Sequence, residues 1–429
     1  MQTWNRKMSL KGLMLVLVCL NATSPFSWTD ENRKAILVRE LKKDSIRPVD
    51  LSSDGRFILT IGERKNPELR GARLSVLAVY ETNTGKIVGK PVVEAERKFT
   101  AAIFDGSQRV LALETQYIYS LLSKPAVLLE WDLVSGKLSE LPVKLDRNFK
   151  PACILNKNQF LGFVFERGDV AQELLTVAED NGVRILHQPS KASSNTKWPK
   201  FHEPFPLLGD NCSAWRSGES ILLANTNPGD LDWVSLQPDK NPIRCHSFPG
   251  EFICGQAVSP DGSFVAVVTI DRDLDKLAAV AEVPPVFLNV LQAQACKPVS
   301  RSLLEFPERP VWRSYLFSRK KYLDNRLFLQ QLASRMAISP DNTKLALAYG
   351  IYKSSDGDAY FGLYALSDGR RLATLRGNKN RGGFLHGILS DEIWASSAPI
   401  SGMLRFSHDS RRLYAGSKGV FQWDISGLK

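Results

Sequence analysis

The side chains able to do acid–base or metal chemistry are few and scattered. Five histidines, His187, His202, His246, His386 and His408, occur without a His-Glu-x-x-His spacing. That spacing would put two imidazoles on one helix face to hold zinc, with the glutamate as base. No Gly-x-Ser-x-Gly elbow is present to lift a serine nucleophile above a sheet. The acids Asp271, Asp273 and Asp275 in "DRDLDK" resemble half a calcium loop. The glycine after the third acid and the distant bidentate glutamate are missing, so a solvated loop is the expectation. No Cys-x-x-Cys is present to begin a zinc ribbon. The sequence therefore predicts no metal site and no catalytic residues.

Cations are the more suggestive residues. In "PERPVWRSYLFSRKKYLDNRLFLQQLAS" (307–334), Arg313, Arg319, Lys320 and Lys321 interleave with Trp312, Tyr315, Phe317 and Tyr322. Cations between aromatics suit a polyanion; a helical flap with Leu323, Leu327 and Leu332 as its buried face fits the same residues. In "RGNKNRGG", Arg376, Lys379 and Arg381 flank glycines whose amides could converge on an anion. The Lys-Ser/Thr of a phosphate loop is absent. A formal charge of +11 and a pI near 9.3 also favour anionic partners. These seven cations are the candidate binding residues, for a protein or an anionic ligand, with no nucleic acid expected.

What must position them is a repeated element. "AVSPDGSFVAVV" begins at Ala257, and "AISPDNTKLALAY" follows from Ala337. Each reads as strand, tight turn, strand. Proline pre-sets φ in the turn, aspartate bonds the local backbone, and Gly262 or Asn342 takes the left-handed position. The second strand is apolar at almost every position, as in a strand covered on both faces. Weaker copies occupy Val49–Gly62, Ala101–Glu114, Ala152–Glu166, Ser213–Thr226 and Gly402–Ser417, which makes seven hairpins. Several are followed by an apolar strand ending in a glycine turn, as in "VLLEWDLVSGKL" and "FGLYALSDGRRL". Four strands per roughly 40–50 residues is the repeat of a propeller blade.

Through Ser259-Pro260-Asp261-Gly262, Ser339-Pro340-Asp341-Asn342, Trp131-Asp132 and Trp423-Asp424, the chain resembles the WD40/YVTN-type β-propellers. The blades carry no regular Gly-His, and only two units end in Trp-Asp, which points toward the looser bacterial members. The resemblance implies an all-β fold, one domain over 35–429, with insertions near 307–334 and 378–401. It implies a binding scaffold with no cofactor. The alternative is an enzyme of the sugar-lactone hydrolase or quinone-dependent dehydrogenase type, with its site at the central channel mouth.

Seven blades are expected, or eight if "GILSDEIWASS" adds strands. The last unit, from Gly402, has room for three strands, so Ala35–Leu41 is expected to supply its outer strand and close the ring. Residues 1–27 read as a secretory signal: Arg6, Lys7 and Lys11, then "LMLVLVCL", then small and polar residues. The apolar run is too short to span a bilayer, so a secreted or periplasmic protein with no membrane span is expected. Removing it leaves five cysteines, with Cys245 and Cys254 in "CHSFPGEFIC" as a possible disulfide.

Overall fold

A computed structural model of the protein describes residues 33–35, 46–68, 73–94, 98–118, 121–122, 126–145, 149–166, 172–179, 182–187, 216–225, 229–237, 240–271, 285–304, 335–349, 360–376, 403–416 and 420–428. These residues form seven four-stranded antiparallel sheets, each a propeller blade, plus a small hairpin pairing Tyr117–Ile118 with Leu121–Leu122. The blade count is seven, and each predicted hairpin supplies the first two strands of one blade.

The first strand of each blade is innermost. These strands are Ile46–Leu51, Lys98–Phe104, Phe149–Asn156, Arg216–Ser217, Glu251–Val258, Arg335–Ile338 and Met403–Phe406. Most of them touch the first strand of the next blade, and Met403–Phe406 touches Ile46–Leu51, which completes the circle. The outer strands of blades 1 to 6 are Val92–Glu94, Leu138–Val143, Gly182–His187, Ile243–Ser247, Lys297–Leu303 and Arg371–Arg376.

Packing follows from the apolar second and third strands. In Phe264–Asp271 every residue from Val265 to Ile270 is buried. Alternate side chains point to the two neighbouring blades. Val265 and Val267 join a cluster with Leu231 and Leu236 of blade 4, while Ala266 and Val268 join one with Leu345 and Leu347 of blade 6. Further clusters fill the remaining seams, including blade 7 to blade 1 through Met403, Tyr414, Ile58 and Val76. The core is thus a closed series of inter-blade seams rather than one central mass.

Blade 7 is closed from the N-terminal side as expected, though the described pairing lies earlier. Arg33, Lys34 and Ala35 pair antiparallel with Trp423, Gln422 and Phe421. Ala35 is shared with the expected strand; residues 36–41 lie outside the described residues. Near the disc's rim a disulfide joins Cys245, on the outer strand of blade 4, to Cys296, in the last turn of blade 5. This corrects the expected Cys245–Cys254 pairing. Cys254 is a free, buried thiol on the blade 6 side of its sheet, away from Cys245. Cys153 is disulfide-bonded as well.

Candidate functional site

Strand order gives the disc two unlike faces. In each blade the first-to-second turn and the third-to-fourth turn lie on one face. The second-to-third loops and the blade-to-blade connections leave from the other. On the first face every described turn is short and internally bonded. The spans 188–215, 272–284, 305–334, 350–359 and 377–402 all depart from and return to strand ends on the second face.

The short-turn face is built by one device used four times. Ser52, Ser259, Ser339 and Ser407 each donate from Oγ to the aspartate two residues on, at 2.7, 2.6, 2.5 and 2.5 Å. Each Oγ also accepts the backbone N–H five residues on, from Phe57, Phe264, Lys344 and Arg412, at 2.9 Å in every case. The residue after the aspartate is left-handed: Gly55, Gly262, Asn342 and Ser410 have φ of 70°, 70°, 57° and 58°. That geometry favours glycine and asparagine, and Ser410 adopts it with its Oγ accepting the Asp341 N–H of blade 6.

These turns also touch one another. Asn342 donates to Asp261 at 2.7 Å, and the Asp341 N–H donates to Ser410 Oγ at 3.0 Å, so blades 5, 6 and 7 are laced across their turns. Against the upward push of burial, bonds from Ser259, Ser263 and Asn342 hold the Asp261 carboxyl well below its usual range. Ser339 and Thr343 lower Asp341 against the same push. At Asp409 the Ser407 hydroxyl is the main cause of the lowering. These acids are structural anchors, each with Oδ1 accepting from the serine two residues before it and the N–H two residues after it.

Near the axis the polar side chains also tie blade to blade. Asp50, on the inner strand of blade 1, faces the guanidinium of Arg405 on the inner strand of blade 7 at 3.5 Å. The other Asp50 oxygen accepts the Phe104 N–H of blade 2 at 2.9 Å. One carboxylate therefore joins three inner strands. Burial pushes its pKa up, opposed by Arg405 and by backbone N–H bonds; burial pushes Arg405 down, opposed by Asp50. Gln256 of blade 5 donates to the Leu222 carbonyl of blade 4, and Arg216 of blade 4 to the Leu155 carbonyl of blade 3. Asp50 and Arg405 each lie in one of the hairpin repeats, on its first strand, but nothing in either repeat marks the two as partners.

Of the seven candidate binding cations, Arg376 ends the outer strand of blade 6, paired with Tyr360. Arg313, Arg319, Lys320, Lys321, Lys379 and Arg381 lie outside the described residues. Their two spans nonetheless have fixed anchor points. Residues 305–334 join the outer strand of blade 5 to the inner strand of blade 6, and 377–402 join the outer strand of blade 6 to the inner strand of blade 7. Both begin and end on the long-connection face, on either side of blade 6. Among the described residues no three His, Cys, Asp or Glu side chains are grouped to hold a metal ion. His246 packs edge-on against Phe248 at 4.7 Å.

No protein-family model matches the chain, and no curated protein matches it. Solved structures resemble it in fold. An oligogalacturonate lyase in complex with manganese matches at 9% identity and TM-score 0.47, covering 93% of this chain and 90% of the lyase. The Cps50 (Swd1) β-propeller domain of Myceliophteria thermophila matches at 12% identity and TM-score 0.47, covering 87% and 95%. TolB from Acinetobacter baumannii matches at 11% identity and TM-score 0.37, covering 86% and 69%. The class this fold defines is the seven-bladed β-propeller with four-stranded antiparallel blades.

Proposed function

We propose that the protein is a secreted or periplasmic, non-catalytic β-propeller scaffold that binds a protein or an anionic ligand on its long-connection face. The observation that carries this reading is the asymmetry of the disc. One face consists of short turns whose polar groups bond one another, while the long connections are gathered on the other. A rigid scaffold carrying long loops on one side is the usual arrangement for recognition. Two of those connections bear the cations Arg313, Arg319, Lys320, Lys321, Lys379 and Arg381, and Arg376 stands at the root of the second. Their positive charge suits an acidic protein surface or another anionic ligand.

Cross-linking of tagged protein in its native cells, followed by a native mass measurement of the recovered complex, tests the reading. The expected result is a stable partner whose cross-links map to 305–334 and 377–402. A protein recovered alone with a tightly bound metal or quinone, or cross-links confined to the short-turn face, overturns it.

A further inference from the structure

Among the outer strands whose side chains are described, that of blade 5, Lys297–Leu303, is the one with two large apolar side chains more than half exposed. Val299 and Leu303 are each 58% exposed; Leu303 is paired with Phe287, and Val299 is the extra residue at a register shift between Pro298 and Ser300. Leu138 and Leu141 on the outer strand of blade 2 are also exposed, but their spacing of three places them on opposite faces. Between Val299 and Leu303 stands Arg301, on the same face as Leu303.

Arg301 is held in one pose. Its guanidinium lies over the Phe287 ring at 4.1 Å, donates to Asn289 Oδ1 at 3.1 Å, and bonds Glu251 Oε1 at 2.8 Å. Asn289 is fixed in turn by donating to Thr269 Oγ1 at 2.9 Å. The Arg301 side chain nevertheless remains 44% exposed. A planar cation with five donors, two of them used, keeps donors for a carboxylate.

The backbone is available beside it. The Leu304 N–H donates inward to the Val286 carbonyl. In an antiparallel ladder the inward and outward groups alternate. Ser302 therefore bonds inward as well, while Leu303 and Arg301 direct their N–H and C=O groups to the open edge. Exposed strand edges are normally blunted by charge, proline or shortness. Here Lys297, Pro298 and the register shift at Val299 blunt the first end, and Ser300–Leu303 keeps a regular ladder with Phe287–Val290.

We infer that this edge is a docking strand for an extended segment of a partner protein, with an acidic residue flanked on both sides by apolar ones. The partner strand would extend the blade 5 ladder. Its apolar residues would cover Val299 and Leu303, and its carboxylate would meet Arg301. The inference rests on the scaffold reading but uses the rim of the disc rather than its long-connection face.

The test is to pan a display library of random linear peptides on the full chain. The Val299→Lys/Leu303→Asp double variant, altered only at exposed positions, and Arg301→Gln are panned in parallel. The expected result is enrichment of apolar–acidic–apolar peptides, with slowed amide exchange over 299–303. Binding should fall at least about tenfold in the double variant, and the acidic preference should be lost in Arg301→Gln. Peptides that bind all three proteins alike, or no enrichment at all, overturn the docking strand. Peptides that instead slow exchange at the strand ends of the long-connection face overturn the docking strand and leave the scaffold reading standing.

Discussion

Asp50 and Arg405 meet at 3.5 Å across the seam where the first blade meets the last, with Asp50 also taking the Phe104 N–H of the second. The pair is shielded, with side chains 12% and 21% exposed. Removing one member of such a pair leaves the other desolvated without its main compensation.

Asp50→Asn should therefore cost about 3 kcal/mol in urea unfolding. A double variant in which Arg405→Leu accompanies it should recover part of the loss, because no buried cation remains to be compensated. A double variant as unstable as the sum of the singles would show that the two residues act independently.

The turn aspartates set an acid limit. Asp261, Asp341 and Asp409 are lowered in the folded protein, so the stability they contribute is complete above the unfolded aspartate value of about 3.9 and is lost as pH falls below it. Asp50 has the opposite sign: its raised value favours the folded state as pH falls through it, which partly offsets the loss. Thermal melting should drop as pH is lowered from about 4. In a Ser259→Ala, Ser339→Ala, Ser407→Ala variant the neutral-pH stability should be lower and the acid slope shallower.

At the left-handed turn position, Asn342→Ala should destabilise by about 1–2 kcal/mol, since a β-carbon without a bonding side chain is disfavoured there. Asn342→Gly should cost less, because it loses only the bond to Asp261. Equal melting temperatures for the two variants would contradict this account.

The Cys245–Cys296 bridge closes a span of 51 residues. By chain entropy its loss in Cys296→Ser should lower stability by about 4 kcal/mol. Peptide mapping without reductant should recover Cys245 joined to Cys296. With burial pushing its thiol out of the reactive range, Cys254 should alkylate only after unfolding.

How much of this the sequence carries depends on the range of each interaction. The hairpins were legible because Ser259, Asp261 and Gly262 act on one another within a few residues, and the same grammar recurs at Ser339 and, more weakly, at Ser52 and Ser407. The role of the aspartates in Trp131-Asp132 and Trp423-Asp424 was equally local: Asp132 and Asp424 cap their own turns by accepting from Ser135 and Ser426, while the tryptophans fill seams between blades. What depends on neighbours around the ring was not legible. Cys245 and Cys254 are close in sequence, yet they face different blades, and Cys296 comes alongside Cys245 only after blade 5 docks on blade 4. Asp50 and Arg405, or Arg301 and Glu251, likewise become partners only through the closed ring or the finished blade.

The pairing of Arg33–Ala35 with Phe421–Trp423 has a consequence for biogenesis. Translation delivers the strand near position 33 long before its mate, so throughout elongation that strand has nowhere to dock and the growing disc stays an open arc. Sealing must come after Phe421–Trp423 is made. It is a late, long-range event, opposed by the entropy of joining distant segments. A chaperone or protease acting on the unsealed arc would meet exposed edges that the mature protein no longer offers.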